Sequence, residues 1–277
     1  MDLLKRTISA VFLIAFLIAA LLLGGWYTAA ATILVHFLMM LDITNALNKG
    51  GYPANRVVLL SAALLTAPAV FFFGIFGYFM LTAIVMCLLA ACVILSKKPD
   101  FKAFLAGTFT LVYPLLPGSL LISVAFSDIK GDNSLGVFLI GAACVYACIA
   151  DTFAYAGGRL FGKKKLCPQI SPKKTVAGCV FSFIGGAAAG VLIYFIAVYR
   201  IGIQEIGLIH WLLMGVACGG FAQIGDLIAS MLKRFCGVKD FGTYIPGHGG
   251  IMDRMDSIII CVVAVLVYVQ IFAMEIL

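Results

Sequence analysis

The chain has 277 residues, of which 64% are hydrophobic and 11% are charged, and its mean hydropathy is +1.14. A soluble protein of this length needs more polar surface to face water, so the composition excludes a soluble globular fold. The net charge of +7 does not by itself indicate a nucleic-acid partner, because the basic residues are placed as in membrane proteins, on one side of the predicted spans.

Apolar runs follow one another along the whole chain. A helix needs about 20 apolar residues to cross a hydrocarbon core of about 30 Å. The first run looks like a signal peptide, but it is full length and a second run follows directly, so we predict an uncleaved span. The pattern predicts an all-α polytopic membrane protein with about nine transmembrane helices, at 7–24, 26–45, 57–75, 78–95, 103–126, 135–155, 179–198, 208–231 and 256–275.

The basic residues lie on one side of the predicted topology. Of the 19 lysines and arginines, only Lys130 and Arg200 fall on the other side. This asymmetry indicates that the N-terminus and the two long polar loops, 156–178 and 233–253, are cytoplasmic. The positive charge therefore reports orientation and attraction to anionic membrane lipids, with no nucleic-acid partner expected. We predict a bacterial plasma-membrane protein with an N-terminal transmembrane region at 1–126 and a catalytic transmembrane region at 127–277, its active site facing the cytoplasm.

Acidic residues interrupt the apolar spans, which costs a few kcal/mol for each ionised group and favours a cavity, a cation or a partner beside it. They lie within the spans or at their cytoplasmic ends, at Asp42, Asp151, Asp226 and Asp256. For Asp42 alone, pairing with an interfacial lysine is an equally good explanation. Asp226, Ser230 and Lys233 stand at i, i+4 and i+7, so they share one face of a helix. A single polar stripe on an apolar helix predicts a cavity lining.

The segment 246–256 combines glycines, carboxylates and the start of a helix. Backbone N–H groups in such a segment favour an anion, and Asp253 and Asp256 share a face in the first turn. Ionised carboxylates beside a phosphate require a cation, and Mg²⁺ binds through a few carboxylates and substrate phosphates. The pattern predicts metal-assisted phosphate chemistry. His248 is a candidate general base, or it positions a phosphate or holds the loop.

The other polar loop contains Ser171-Pro-Lys173-Lys174-Thr175. This run is either a basic clamp that binds nucleotide phosphates or the lipid headgroup, or a simple turn with a solvated positive edge. Residues 157–163 fit a GxxxxGK pattern, but Lys164 replaces the required Ser or Thr and a membrane helix precedes the segment, which excludes a P-loop. The nine cysteines are scattered without a CxxC pair and are expected to be buried hydrophobes.

From Ser230 to Asp256 the chain resembles the signature of the phosphatidate cytidylyltransferases, or CDP-diacylglycerol synthases. The matching residues read Ser230-x-Leu-Lys233-Arg234-x₄-Lys239-Asp240-x-Gly242-x₂-Ile-Pro246-x-His248-Gly249-Gly250-Ile-x-Asp253-Arg254-Met-Asp256. The runs Asp151-Thr-x-Ala-Tyr155, Gly158-Arg-x-Phe-Gly162 and Ser171 to Thr175 also look like segments of that family. The chain departs from the family at Val176 and Ala177, where an aromatic and then an acidic residue commonly follow.

The resemblance implies that CTP and phosphatidic acid react to give CDP-diacylglycerol and pyrophosphate, in an all-helical membrane protein that is often dimeric. It implies Asp226 and Asp253 as ligands of Mg²⁺, with a second metal or a monovalent cation left open. We expect the lipid phosphate to attack the α-phosphorus of CTP in line, so that catalysis consists mainly of positioning and charge stabilisation.

The residues assigned to these roles fall into two sets. The predicted catalytic residues are Asp226, Lys233, Arg234, Lys239, Asp240, His248, Asp253, Arg254 and Asp256. The predicted substrate-binding residues are Asp151, Ser171, Lys173, Lys174, Thr175, Ser230, Gly249 and Gly250. Two alternatives stay open: a transporter or channel, although no internal repeat supports one, and a related CTP-using lipid enzyme such as an archaeol-type cytidylyltransferase or a polyprenol kinase.

Overall fold

The computed structural model describes residues 2–129, 134–204, 206–243, 245 and 249–272. Within these residues the chain is almost entirely helical, and its only strands form a short antiparallel hairpin. The elements are α1 (Asp2–Leu23), α2 (Gly25–Lys49), α3 (Arg56–Ile94), α4 (Phe101–Thr110), α5 (Leu116–Ile129), α6 (Ser134–Phe161), β1 (Lys165–Cys167), β2 (Ser171–Thr175), α7 (Val176–Ile196), α8 (Leu208–Phe235) and α9 (Met252–Phe272). A π-helical turn, Leu111–Leu115, joins α4 to α5, and a second, Ala197–Ile201, extends α7.

Seven helical stretches of the described chain are long and apolar enough to cross a membrane. They are Gly25–Lys49, Arg56–Ile94, Phe101–Ser127, Leu135–Phe161, Val176–Ile201, Leu208–Phe235 and Met252–Phe272. The prediction of an all-α polytopic membrane protein is therefore confirmed, and the chain is an integral membrane protein. The number nine stays a prediction.

The helix α3 has 39 residues and covers two of the predicted spans. Its helical geometry is interrupted at Gly74, whose φ of 60° and ψ of −153° suit glycine. A β-carbon on Gly77 would collide with the carbonyl of Ala69, eight residues earlier, whereas a straight helix separates such residues by about 12 Å. The chain therefore turns back on itself at Gly74. Gly24, between α1 and α2, has a similar φ of 64° and ψ of −167°.

The chain divides into two compact units, the first comprising residues 1–137 and 232–255. In this unit α2 packs against both α3 and α5. Met39, Met40 and Ile43 of α2 are fully buried there. The signature residues 232–255 belong to the same unit as the N-terminal spans, a grouping that the chain order does not indicate. The predicted functional division near residue 126 stays a prediction.

The second unit comprises residues 138–231 and 256–277. Its helices α7 and α8 approach closely at glycines, since a β-carbon on Gly186 would collide with the carbonyl of Gly215. Ser182 of α7 donates to the carbonyl oxygen of Gly219 of α8 at 2.8 Å. Small residues and interhelical hydrogen bonds are the usual means by which apolar helices associate in a membrane. This contact fixes the part of α8 that precedes Asp226.

Candidate active site

The loop between α6 and α7 folds into the hairpin of β1 and β2, which the sequence did not predict. Lys165 pairs with Thr175 and Cys167 pairs with Ser171. The hydroxyl of Thr175 accepts a hydrogen bond from the N–H of Gly178 at 3.1 Å and so caps the start of α7. The hairpin is thereby anchored to α7, and it carries Lys174 in a defined position.

Lys174 and Asp226 form the first charged cluster, which lies in the second unit. The Nζ of Lys174 is 2.8 Å from Oδ2 of Asp226, and it also donates to the carbonyl oxygen of Gln223 at 3.3 Å. Ser230 donates to Oδ1 of Asp226 at 3.2 Å, as the predicted spacing on one helix face requires. The side chain of Asp226 is 34% exposed, so the described part of the chain does not enclose it.

Polar groups from three helices surround this cluster. Asp151 of α6 lies close enough to interact electrostatically with both Lys174 and Asp226. On α8 the side-chain amide of Gln223 donates to the hydroxyl of Ser182 at 3.4 Å. The predicted residues Asp151, Lys174, Asp226 and Ser230 are thus brought together in one unit. Two carboxylates beside one lysine leave the group with an excess negative charge, which suits a cation.

Lys233 and Asp253 form the second charged cluster, which lies in the first unit. The Nζ of Lys233 is 2.8 Å from Oδ1 of Asp253 and lies over the ring of Phe241, 5.2 Å from its centroid. The other oxygen, Oδ2, accepts from the N–H groups of Phe241 at 2.8 Å and Gly250 at 3.0 Å. Only 3% of the Asp253 side chain is exposed. The carboxylate of Asp253 therefore binds two backbone N–H groups of the signature loop and the ammonium group of Lys233 at the same time.

The glycines of the signature allow the loop to approach these carboxylates. Gly249 has a φ of +82°, and a β-carbon there would lie 2.7 Å from Oδ2 of Asp253 and 3.2 Å from the β-carbon of Asp240. The N–H of Ile245 donates to the carbonyl oxygen of Gly249 at 3.0 Å. Gly249, a predicted substrate-binding residue, is therefore required by the backbone path, whatever contact it makes with substrate.

Asp42, which lies in α2, also contacts this loop, and the sequence analysis did not predict that contact. Its side chain is fully buried, and Oδ2 accepts from the N–H of Met252 at 3.0 Å. The described ion pairs are those of Lys174 with Asp226 and of Lys233 with Asp253. Within the described residues Asp42 therefore contacts a backbone N–H and not an interfacial lysine, which was one of its two explanations. The visible signal was an acid inside an apolar span, but its partner lies 210 residues further along the chain.

The remaining predicted residues are placed less specifically. Lys173 and the predicted catalytic residues Arg234, Lys239, Asp240 and Arg254 are exposed at the surface, and Ser171 is half-buried. Asp256 is 9% exposed, and its Oδ1 accepts from the N–H of Ser257 at 2.8 Å. His248 lies outside the described residues. The roles of all these residues stay predictions.

The amino-acid sequence resembles those of known proteins over almost the whole chain. A Synechocystis protein named phosphatidate cytidylyltransferase is 33% identical over 286 aligned residues, which cover 91% of this chain and 92% of the relative. A protein of the same name from Staphylococcus haemolyticus is 31% identical over 269 residues, covering 91% and 93%. The profile of the cytidylyltransferase family matches residues 4–272. This confirms the resemblance seen in the signature, and the chain belongs to the cytidylyltransferase family.

Proposed function

We propose that this chain transfers the cytidylyl group of CTP to phosphatidic acid, giving CDP-diacylglycerol and pyrophosphate for phospholipid biosynthesis. The observation that carries the proposal is the signature segment 230–256, which lies within the family match and in which the N–H groups of Phe241 and Gly250 donate to the buried carboxylate of Asp253. The relatives named above carry the same activity in their names. The membrane-spanning helices are consistent with a substrate that resides in a bilayer.

Two lysine–carboxylate pairs provide the charges that this reaction needs. CTP and phosphatidic acid are both polyanions, so their phosphates repel one another and any nearby carboxylate. Lys174 and Lys233 neutralise their carboxylates at 2.8 Å. Each lysine could bind a phosphate oxygen of a substrate, and a cation held by Asp226 or Asp253 would then compensate the charge of the carboxylate.

Mg²⁺ is the proposed cation, and Asp226 and Asp253 are its proposed ligands. The described residues contain no group of three or more His, Cys, Asp and Glu side chains that could hold a metal. Mg²⁺ does not need one, because it commonly binds through one or two carboxylates together with substrate phosphates and water. Asp226 fits this role best, since its carboxylate is one-third exposed. When bound, the ion would withdraw charge from the phosphate oxygens and orient them.

The protein groups act by holding and orienting the reactants. An oxygen of the lipid phosphate forms a bond to the α-phosphorus of CTP as the bond to the departing pyrophosphate breaks. The phosphate monoester is already anionic near neutral pH, so the attack does not depend on a base such as His248. Lysine ammonium groups placed beside the α-phosphate stabilise the charge that develops there.

We propose that the site faces the cytoplasm at the bacterial plasma membrane and that the protein forms a homodimer. The one-sided distribution of basic residues supports this orientation.

A cavity of about 470 Å³ at the C-terminal end of α2 is suited to an anionic ligand. It is lined by Asn45, Asn48, Lys49, Ala54 and Arg56, which supply two cations and two amides. We propose that it receives the anionic headgroup of phosphatidic acid, the lipid substrate.

The test uses CTP labelled at either of two phosphates, with purified protein and phosphatidic acid in mixed micelles. Label from the α-phosphate should enter the lipid fraction while pyrophosphate is released. Lipid labelled only from the γ-phosphate would indicate a lipid kinase, and no labelled lipid in either case would favour a transporter. Asp226→Asn and Asp253→Asn should each lower transfer at least about 100-fold in folded protein, as expected when electrostatic stabilisation of the transition state is lost.

A further inference from the structure

We propose that Asp42 is a positioning residue for the signature loop, so that the N-terminal spans help to build the active site. This inference rests on the proposed function. Asp42 lies in the apolar helix α2, and its side chain is fully buried. Its Oδ2 accepts a hydrogen bond of 3.0 Å from the N–H of Met252, the first residue of α9. Asp253, the next residue, carries the buried carboxylate of the signature.

Asp42 supplies a cap that the local sequence of α9 lacks. The first N–H groups of a helix have no partner within it and are usually satisfied by a side chain just before its start. Here residues 249–251 are Gly-Gly-Ile, which carry no side-chain acceptor. A carboxylate at this end is also favoured by the helix dipole. The cap therefore comes from 210 residues earlier in the chain, which couples α2 directly to α9.

The carboxylate of Asp42 fills a slot between two parts of the loop. A β-carbon on Gly242 would collide with its Oδ1, and one on Gly250 would collide with its Oδ2. The two glycines therefore both lie against this carboxylate. Oδ1 is buried and has no hydrogen-bond partner among the described residues. An acceptor left in this way is costly, and the hydrogen bond from the N–H of Met252 to Oδ2 offsets part of that cost.

Asp42 acts on chemistry through Asp253. The N–H of Gly250 is held by Asp253, and the N–H of Met252 is held by Asp42, so the four residues 250–253 are fixed from two sides. Loss of the second contact leaves the start of α9 without its cap and allows the carboxylate of Asp253 to shift. A displacement of about 1 Å at a reacting group can lower the rate about 100-fold.

The experiment compares Asp42→Asn and Asp42→Leu with a matched control, Asp100→Leu. Asp100 is exposed and caps α4, where its Oδ1 accepts from the N–H of Lys102 at 2.9 Å, away from the signature. Asp42→Leu should lower kcat roughly 10- to 100-fold with little change in KM for CTP. Asp42→Asn keeps an acceptor for the N–H of Met252 and should stay within about 5-fold of the native kcat. Asp100→Leu should leave kcat unchanged.

Hydrogen exchange separates this inference from the proposed function. In Asp42→Leu the amides of residues 249–253 should exchange at least about 10-fold faster than in the native protein, and in Asp42→Asn they should not. This measurement needs no turnover, so it tests the contact even if the native protein transfers no cytidylyl group. A native kcat in Asp42→Leu would overturn the inference. The inference would also be overturned if Asp42→Leu and Asp100→Leu lost activity equally and each loss matched the fraction of unfolded protein.

Discussion

The two lysine–aspartate pairs have the same length but should contribute very differently to stability. Both pairs are 2.8 Å long, yet the carboxylate side chain is 3% exposed at Asp253 and 34% exposed at Asp226. Replacing Lys233 with Met removes the partner of a buried charge, which typically costs about 3–5 kcal/mol. Asp253 retains its two backbone N–H donors, so we expect the lower end, about 3 kcal/mol. Replacing Lys174 with Met should cost no more than about 1 kcal/mol, because solvent screens that pair.

A double variant distinguishes the charge effect from the loss of the lysine side chain. Lys233→Met together with Asp253→Asn removes both charges, so the double variant should be more stable than Lys233→Met alone by about 2 kcal/mol. It should nevertheless be inactive, because Asp253 is a proposed metal ligand. Recovered stability without recovered activity would separate the structural contribution of the pair from its catalytic one.

The assay is the free energy of unfolding, measured by reversible denaturation in mixed micelles, with cytidylyl transfer measured on the same preparations. Lys97→Met serves as the control, since Lys97 is exposed in the loop after α3. The reasoning is refuted if Lys174→Met and Lys233→Met lower stability equally, because burial would then not determine the strength of the pairs. It is also refuted if the double variant is no more stable than Lys233→Met.

Two further predictions concern the N-terminal spans. Gly74→Ala should lower the free energy of unfolding by about 2 kcal/mol, because the backbone angles of Gly74, φ of 60° and ψ of −153°, are unfavourable for alanine. The control is Gly207→Ala, at a glycine that has no positive φ and open space around it. Equal losses of stability in the two variants would contradict the assignment of a strained backbone to Gly74. Replacing both Lys49 and Arg56 with Gln should raise KM for phosphatidic acid by about 10-fold without changing KM for CTP, as expected when charged hydrogen bonds to one substrate are lost. The control pair replaces Lys97 and Lys98, and a rise in KM for CTP instead would assign the cavity to the nucleotide.

Local periodicity predicted the parts of the structure that depend on neighbours in sequence. The apolar runs reappear as membrane-length helices, and Asp226 contacts Ser230 one helical turn away at 3.2 Å. The signature glycines were predicted to lie beside a helix start, and they do, since α9 begins at Met252. These features follow from helical spacing and chain flexibility, which a single sequence displays directly.

Contacts between distant segments were not predictable in the same way. The partner of Lys174 lies 52 positions away on another element, and that of Asp42 lies in the loop before α9. The hairpin of β1 and β2 was also missed, because its strands have three and five residues and no alternating apolar pattern. The sequence shows two adjacent lysines, Lys173 and Lys174, before an apolar helix. It does not show that Lys174 forms the ion pair with Asp226, because that contact depends on the fold.

The two proposed metal ligands, Asp226 and Asp253, are held in different ways, and this difference favours different tasks for them. Asp253 is bound by Lys233 and by two backbone N–H groups, so releasing it would disrupt the loop that it organises. Asp226 is bound by a lysine and a hydroxyl and is open to solvent, so it can exchange partners at low cost. If the two carboxylates bind the proposed cation, Asp226 would exchange its lysine for the ion more readily, whereas Asp253 would offer a carboxylate whose orientation is already determined.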